Sequence, residues 1–266
     1  MPGQLSTGNP FIRIVAIAGN TFREAIRDRV LYNLVVFVLL ITGCAILLGE
    51  LTAGQEARTI VNIGLNTMLI FGTFIAIFVG VGLVSKEIEK RTVFNIFSKP
   101  VNRTEFIVGK FLGLCLTLLI NVAVMGVGVS LALLYVGDRS LAATIWPAIA
   151  LIFIELMITT AVATMFSSFS TPALSALLTF FVFIIGHMSA SLRELAAGMS
   201  SRTAALILDA IYYVLPNLAL FSFRTEAANS LLPSFSMILY GALYAVMYCS
   251  VLLAVTSMIF ARRNFK

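Results

Sequence analysis

The residues that could do chemistry in this chain are few and scattered. The single histidine is His187, with Ser189 two positions further on, and one acid, Glu155, lies deep within an apolar run. A serine hydrolase needs an oriented base and an oxyanion hole, and the sequence indicates neither. Gly109-Lys110 is followed by Phe rather than Ser or Thr, so it is not a phosphate-binding loop. We therefore expect no enzyme activity, and we interpret His187 as a hydrogen-bonding residue.

Long apolar runs dominate the rest of the sequence. Apolar residues make up 60% of the chain and charged residues 11%, and the mean hydropathy of +1.02 excludes an ordinary soluble domain. The runs approach or exceed the roughly 20 residues that cross a bilayer as a helix, and they are continuous rather than alternating. We predict an all-α membrane protein with six transmembrane helices. The predicted spans are 31–49, 60–84, 106–136, 142–166, 173–191 and 235–260.

Three segments outside the spans have a predicted structure of their own. Apolar residues recur at spacings of three and four across 10–30, which predicts an amphipathic helix at the membrane surface that starts at Asn9-Pro10. The alternative is a helix packed on other protein. The charged segment 85–105 connects the second and third spans. The region 192–233 is predicted to form short helices near the interface, broken at Pro216, or a re-entrant segment.

The distribution of basic residues predicts the topology. Six spans place both termini on one side, and 13 of the 18 Lys and Arg residues fall on that side, against five on the other. This asymmetry favours cytoplasmic termini. Because the net charge of +6 comes from basic residues beside spans, we expect no nucleic-acid partner. The N-terminus lacks a basic region and an apolar core, so no cleaved signal peptide is expected.

The segment Ser85 to Lys110 is predicted to be a bent helical hairpin. Pro100 breaks the helix that continues from the second span, and Asn102 with Glu105 has the spacing of a capping box that restarts it. Aromatic side chains among charges just before the turn suit a groove on a soluble partner. The alternative is a solvated loop whose charges only set the topology.

This segment resembles the cytoplasmic loop of ABC exporter permeases of the second bacterial export class. The resemblance lies in Glu89-Lys90-Arg91-Thr92, in Pro100-Val101-Asn102-Arg103 and in Gly109-Lys110, although Arg91 stands where Gly is common. It extends to the run 166–172 and to Leu215-Pro216-Asn217-Leu218, and it is closest to permeases associated with copper-enzyme maturation.

The resemblance implies a half-transporter in the bacterial inner membrane. Two permease copies, or one copy and a sister permease, would pair with two ABC ATPase subunits that bind ATP and Mg²⁺, and an extracytoplasmic accessory protein could join them. The permease itself would bind no cofactor. The segment 10–30 would be the connecting helix, with Arg23, Arg27 and Arg29. The loop 85–105 would contain the cytoplasmic coupling helix, and 192–233 would form outer helices that gate the exit. The coupling residues that would contact the ATPase are Glu89, Arg91, Thr92, Phe94, Phe97, Pro100 and Arg103.

Three functions are compatible with the sequence. We favour an exporter permease for an apolar or amphipathic cargo, because the spans offer no charged lining. The alternatives are a membrane platform that transmits ATPase-driven motion without transport and, last, an intramembrane enzyme.

Glu155 also has two interpretations: a protonated or hydrogen-bonded contact in helix packing, or a residue lining the transport path or a dimer seam. The three cysteines, Cys44, Cys115 and Cys249, have no metal-ligand spacing, so we expect no metal site.

Overall fold

The computed structural model describes residues 10–27, 36–37, 40–41, 43–44, 47, 54–89, 102–199 and 201–262. Within these residues every regular element is a helix, as the sequence predicts. The helices are α1 (Pro10–Arg27), α2 (Glu56–Glu89), α3 (Arg103–Val136), α4 (Arg139–Thr144), α5 (Trp146–Ser167), α6 (Pro172–His187), α7 (Ser189–Gly198), α8 (Arg202–Val214), a 3₁₀ helix (Leu218–Phe221), α9 (Arg224–Ala228) and α10 (Phe235–Arg262).

Four stretches among the described residues are long and apolar enough to cross a membrane. They are Glu56–Gly82, Thr104–Val136, Arg139–Ser167 and Phe235–Phe260. A fifth results if Arg202–Val214 and Leu218–Ala228, which meet at an angle of 47°, form one broken span. The polytopic all-α class is therefore confirmed. The six-span arrangement stays a prediction, because most of the span predicted at 31–49 lies outside the described residues.

Helix α6 is shorter than the span predicted at 173–191. It has 16 residues and ends at His187, and α7 begins at Ser189. The break is stabilised from outside the helix, since Ser189 Oγ donates a hydrogen bond to Asn217 Oδ1 at 2.6 Å. A contact with a distant segment therefore holds the start of α7 where α6 has ended.

Helix α2 runs through the centre of the bundle and packs against α3, α5, α6 and α9. Its glycines allow close packing, as predicted for the second span. A Cβ added at Gly72 would lie 2.5 Å from a methyl of Leu156 in α5. At Gly80 it would lie 2.8 Å from the Ala163 Cβ. The α2–α5 contact is therefore too close for larger side chains at these positions.

The two ends of the bundle contain different helices. At the end where 90–101 connects α2 to α3, which we call the loop end, Phe106 and Ile107 of α3 share a buried cluster with Phe260 of α10. Ile17 of α1 and Val79 of α2 pack against that cluster. The loop end therefore contains both α1 and the C-terminal part of α10. We call the opposite end, where α3 turns into α4, the far end.

The chain between α6 and α10 folds back into the far half of the bundle. The 3₁₀ helix packs on α5 and α6, with Leu218 and Phe221 almost fully buried. This insertion needs a glycine on α6, because a Cβ at Gly186 would lie 2.7 Å from the Pro216 carbonyl oxygen. Helix α9 then packs on α2 through the buried Ala227 and Ala228.

Candidate functional site

Most of the predicted coupling residues lie outside the described part of the chain. This holds for Arg91, Thr92, Phe94, Phe97 and Pro100, and also for Arg29 of the predicted connecting helix. Glu89 ends α2, Arg103 begins α3 and Arg27 ends α1, but their side chains are not described. Arg23 is exposed on α1, whereas Glu155 is fully buried in α5. The roles assigned to the coupling residues therefore stay predictions.

The start of α3, directly after the coupling segment, has the predicted cap. Asn102 is the N-cap in extended conformation, and it forms a capping box with Glu105. The backbone N–H of Asn102 donates to Glu105 Oε2 at 3.4 Å, and its side-chain Nδ2 donates to Oε1 at 3.3 Å. The cap therefore fixes the direction in which the chain enters α3.

Glu105 also connects α3 to α1. Arg13 Nη1 lies 3.7 Å from Glu105 Oε2, and only a tenth of the Glu105 side chain is exposed. One carboxylate thus serves both the cap and an ion pair with the N-terminal helix. Because both charges are partly shielded from water, the pair is less screened than one on an open surface.

Two glycines bring the backbones of α1 and α3 into contact just beyond the cap. A Cβ at Gly109 would lie 3.0 Å from the Ile14 carbonyl oxygen, and one at Gly113 would lie 2.5 Å from that of Ala18. Thr21 is buried in the same contact and donates from Oγ1 to the Ile17 carbonyl at 3.0 Å. Small residues four apart on one helix face are the usual means of such close packing. The sequence analysis used Gly109 only as part of Gly109-Lys110, although the spacing to Gly113 was visible.

A second polar group lies deep in the bundle. His187 Nε2 of α6 lies 3.1 Å from Oε1 of the fully buried Glu155. On the other side of the ring, Nδ1 lies 3.1 Å from the Phe183 carbonyl oxygen. Both carboxyl oxygens of Glu155, Nε2 of His187 and Nη1 of Arg224 in α9 are buried and have no hydrogen-bond partner among the described residues, so Nε2 and Oε1 form a close contact rather than an aligned hydrogen bond. In the sequence, Glu155 and His187 are separate candidates, and Arg224 counts only toward the topology.

The comparison with known families decides what kind of protein this is. Residues 15–265 match the family described as "ABC-2 family transporter protein". The chain belongs to the ABC-2 transporter family. No curated protein shows significant similarity to it. The resemblance stated from the coupling segment is confirmed at the level of an ABC transporter permease, and the likeness to copper-maturation permeases stays a prediction.

Membership makes this ABC-2 permease a multi-pass transmembrane component of an ABC transporter, in a family that works with ABC ATPase subunits. Within the described residues, no group of three or more His, Cys, Asp or Glu side chains could hold a metal ion. The contacts at the loop end join two helices. A capped helix start, an ion pair and a backbone contact join α1 to the part of α3 that follows the coupling segment.

Proposed function

We propose that this permease is the membrane subunit of an ATP-driven exporter and that ATPase movements enter it through 85–105. The observation that carries the proposal is the contact between α1 and the first turns of α3. There the ion pair of Arg13 with Glu105 and the close approach at Gly109 and Gly113 join the two helices. A partner that moves the coupling segment would move both helices together.

Two routes lead from the coupling segment into the bundle. Helix α2 enters the segment at Glu89 and is continuous back to Glu56, so a displacement there is transmitted along 34 residues. Helix α3 leaves the segment at Arg103 and carries α1 with it. Because packed helices have low compressibility, such movements pass through the bundle as rigid shifts.

The interior of the described spans favours an apolar or amphipathic cargo. The buried carboxylate of Glu155 faces His187 rather than an open cavity lined by charge. Selecting an ion would require several converging charges or carbonyl oxygens. Two permease copies, or this chain and a sister permease, would enclose the cargo path, and two ATPase subunits would bind the ATP and Mg²⁺.

The docking step is tested by changing Phe97 and Arg103 together to Asp. The permease is co-expressed and co-purified with a candidate ABC ATPase subunit, and ATP hydrolysis is measured in lipid nanodiscs. We expect the double variant to lose most of the bound ATPase and of the permease-stimulated hydrolysis, because two negative charges replace an aromatic anchor and a cation.

A matched control changes one aromatic residue and one arginine in the far half. Tyr213 and Arg202 of α8 are both exposed, and the variant with both changed to Asp should retain ATPase binding. Unaltered affinity in the Phe97 and Arg103 variant would refute docking at this segment. Equal loss in both variants would indicate a general defect and would also count against it.

A further inference from the structure

The Phe183 carbonyl fixes the tautomer of the only histidine in the chain. A carbonyl oxygen can only accept a hydrogen bond, so Nδ1 of His187, 3.1 Å away, must carry a hydrogen and donate it. In a neutral imidazole, Nε2 is then the nitrogen with the free lone pair. The nitrogen that faces Glu155 is therefore an acceptor unless the ring gains a second proton.

The contact between the two side chains is attractive only if one of them carries an additional proton, since neither Nε2 nor Oε1 has another hydrogen-bond partner among the described residues. Nε2 is 3.1 Å from Glu155 Oε1, and an ionised carboxylate is also only an acceptor. Two lone pairs at this distance would repel each other. With one proton the pair is either imidazolium and carboxylate or imidazole and carboxylic acid, and both forms are neutral overall. A neutral pair suits a carboxyl group that is 0% exposed inside an apolar bundle.

Another helix supplies a cation with a buried nitrogen, Arg224, that acts electrostatically on the imidazole. Glu155 Oε2 and Arg224 Nη1 are a buried acceptor and a buried charged donor, neither of them hydrogen-bonded within the described residues. The other guanidinium nitrogen, Nη2, donates to Ser222 Oγ at 3.4 Å. The groups that act electrostatically or by hydrogen bonding on the imidazole are Glu155, the Phe183 carbonyl and Arg224. Unpartnered buried polar groups are costly, so a conformation that joins these two would gain stability.

Helix α9 connects this cluster to the coupling segment. Arg224 is its first residue, and Ala227 and Ala228 fix it on α2. Since α2 leads directly into the coupling segment, a movement that starts there reaches Arg224.

We propose that Glu155, His187 and Arg224 form a proton-binding site. In the conformation described here, the Glu155–His187 pair holds one proton. When α2 and α9 bring the Arg224 guanidinium to Glu155, the proton leaves to water, His187 stays neutral with hydrogen on Nδ1, and the carboxylate pairs with the guanidinium. The summed charge of Glu155, His187 and Arg224 thus falls from +1 to zero, and the released proton carries the difference. In the transport cycle the exchange of partners rests on the proposed function for its driving movement, whereas the shared proton, and the pairing of Arg224 with Glu155 once His187 is removed, do not.

The proton is counted in the full-length chain in lipid nanodiscs, prepared with a histidine-free affinity tag. Because His187 is the only histidine, ¹⁵N-histidine labelling reports both ring nitrogens without overlap. Infrared difference spectra against Glu155→Gln show whether Glu155 has the carbonyl stretch of a protonated acid. We expect a protonated Nδ1 and one further proton shared by Nε2 and Glu155. A deprotonated Nδ1, or a total of zero or two further protons, would overturn the proposal.

The change of partner of the Glu155 carboxyl group is tested by comparing the single variant His187→Phe with the double variant that also carries Arg224→Met. In His187→Phe the carboxyl group should be ionised, because Arg224 takes over as its counter-charge. In the double variant it should be a protonated acid, because a buried carboxylate with no counter-charge binds a proton instead. Arg139→Met, at an exposed arginine of the far end, is the control and should leave the His187→Phe spectrum unchanged.

The same carboxyl state in the single and double variants would overturn the exchange. Unfolding temperatures and elution profiles establish that each variant is folded, and the proton count on the unsubstituted chain needs no variant. These measurements need no ATPase. A failed docking experiment would therefore leave the proton count untouched, and a failed proton count would leave docking untouched.

Discussion

Substituting Gly113 by Ala should separate α1 from α3. The added Cβ would lie 2.5 Å from the Ala18 carbonyl oxygen and 2.8 Å from the Thr21 Cβ. The first of these is a backbone atom in a regular helix, so it cannot rotate away as a side chain does. Helix α1 would have to move by roughly 1 Å to restore ordinary contact.

The expected cost follows from two opposing effects. Overpacking of a close contact typically costs about 1–3 kcal/mol. Replacing Gly by Ala within a helix returns about 0.5–1 kcal/mol. We therefore expect a net loss of about 1–2 kcal/mol, which lowers the unfolding temperature by several degrees in a chain of this size. A second readout is thiol labelling of Thr21→Cys, since Thr21 is only 6% exposed and should become accessible when α1 moves.

Gly19→Ala is the matched control on α1. An added Cβ there meets nothing within 4 Å, so only the favourable helix effect remains. This variant should unfold at the same temperature as the unsubstituted chain or slightly higher, with no change in labelling of Thr21→Cys. The α1–α3 contact would be refuted if both glycine variants behaved alike.

Two further substitutions test the polar groups at the two ends. Glu105→Ala removes both the cap and the ion pair with Arg13, so it should lower the free energy of unfolding by about 1 kcal/mol, as measured by thermal unfolding. Glu105→Gln should lower it less, because its amide can still cap the helix. Equal losses in the two variants would contradict a separate role for the cap. At the far end, the Leu141 backbone N–H, 3.0 Å from Asp138 Oδ1, and then the Ser140 hydroxyl lower the pKa of Asp138 below its usual value. Because the folded-state pKa is lowered, this stabilisation is present above the unfolded-state pKa of about 3.9 and is lost as the pH falls through the folded-state value. Asp138→Asn keeps a capping side chain without the charge, so it should unfold at a lower temperature than the unsubstituted chain at pH 7. The difference between the two unfolding temperatures should shrink as the pH falls below about 4. A difference that does not change with pH would contradict this.

Local sequence patterns predicted the features that depend on neighbouring residues. The all-helical class with membrane-spanning helices follows from the length of the apolar runs, and the capping box follows from Asn102 and Glu105 at a spacing of three. The break before Pro216 is likewise local, since α8 ends at Val214. In each case the residues that decide the structure lie within a turn or two of one another.

The remaining features depend on contacts between segments that are distant in sequence. Nothing around Glu155 indicates that His187 will lie 3.1 Å from it, because the two residues come from different helices. The start of α7 depends in the same way on the hydrogen bond from Ser189 to Asn217. The close approach of α1 at Gly113 could have been suggested by its spacing from Gly109, but the identity of the facing helix could not.

Helix α2 connects the coupling segment with the buried Glu155–His187 pair, because it makes contacts near both. Gly72 packs on Leu156, the neighbour of Glu155, Gly64 packs on Val129 of α3, and α9 also packs on α2. A tilt of α2 would therefore carry α9 and Arg224 with it, while the contact at Gly72 keeps α2 close to the helix that bears Glu155. The same tilt would displace the end of α2 that leads into the coupling segment. The geometry thus allows one rigid helix to connect a motion at the loop end with the choice of partner for the buried carboxyl group.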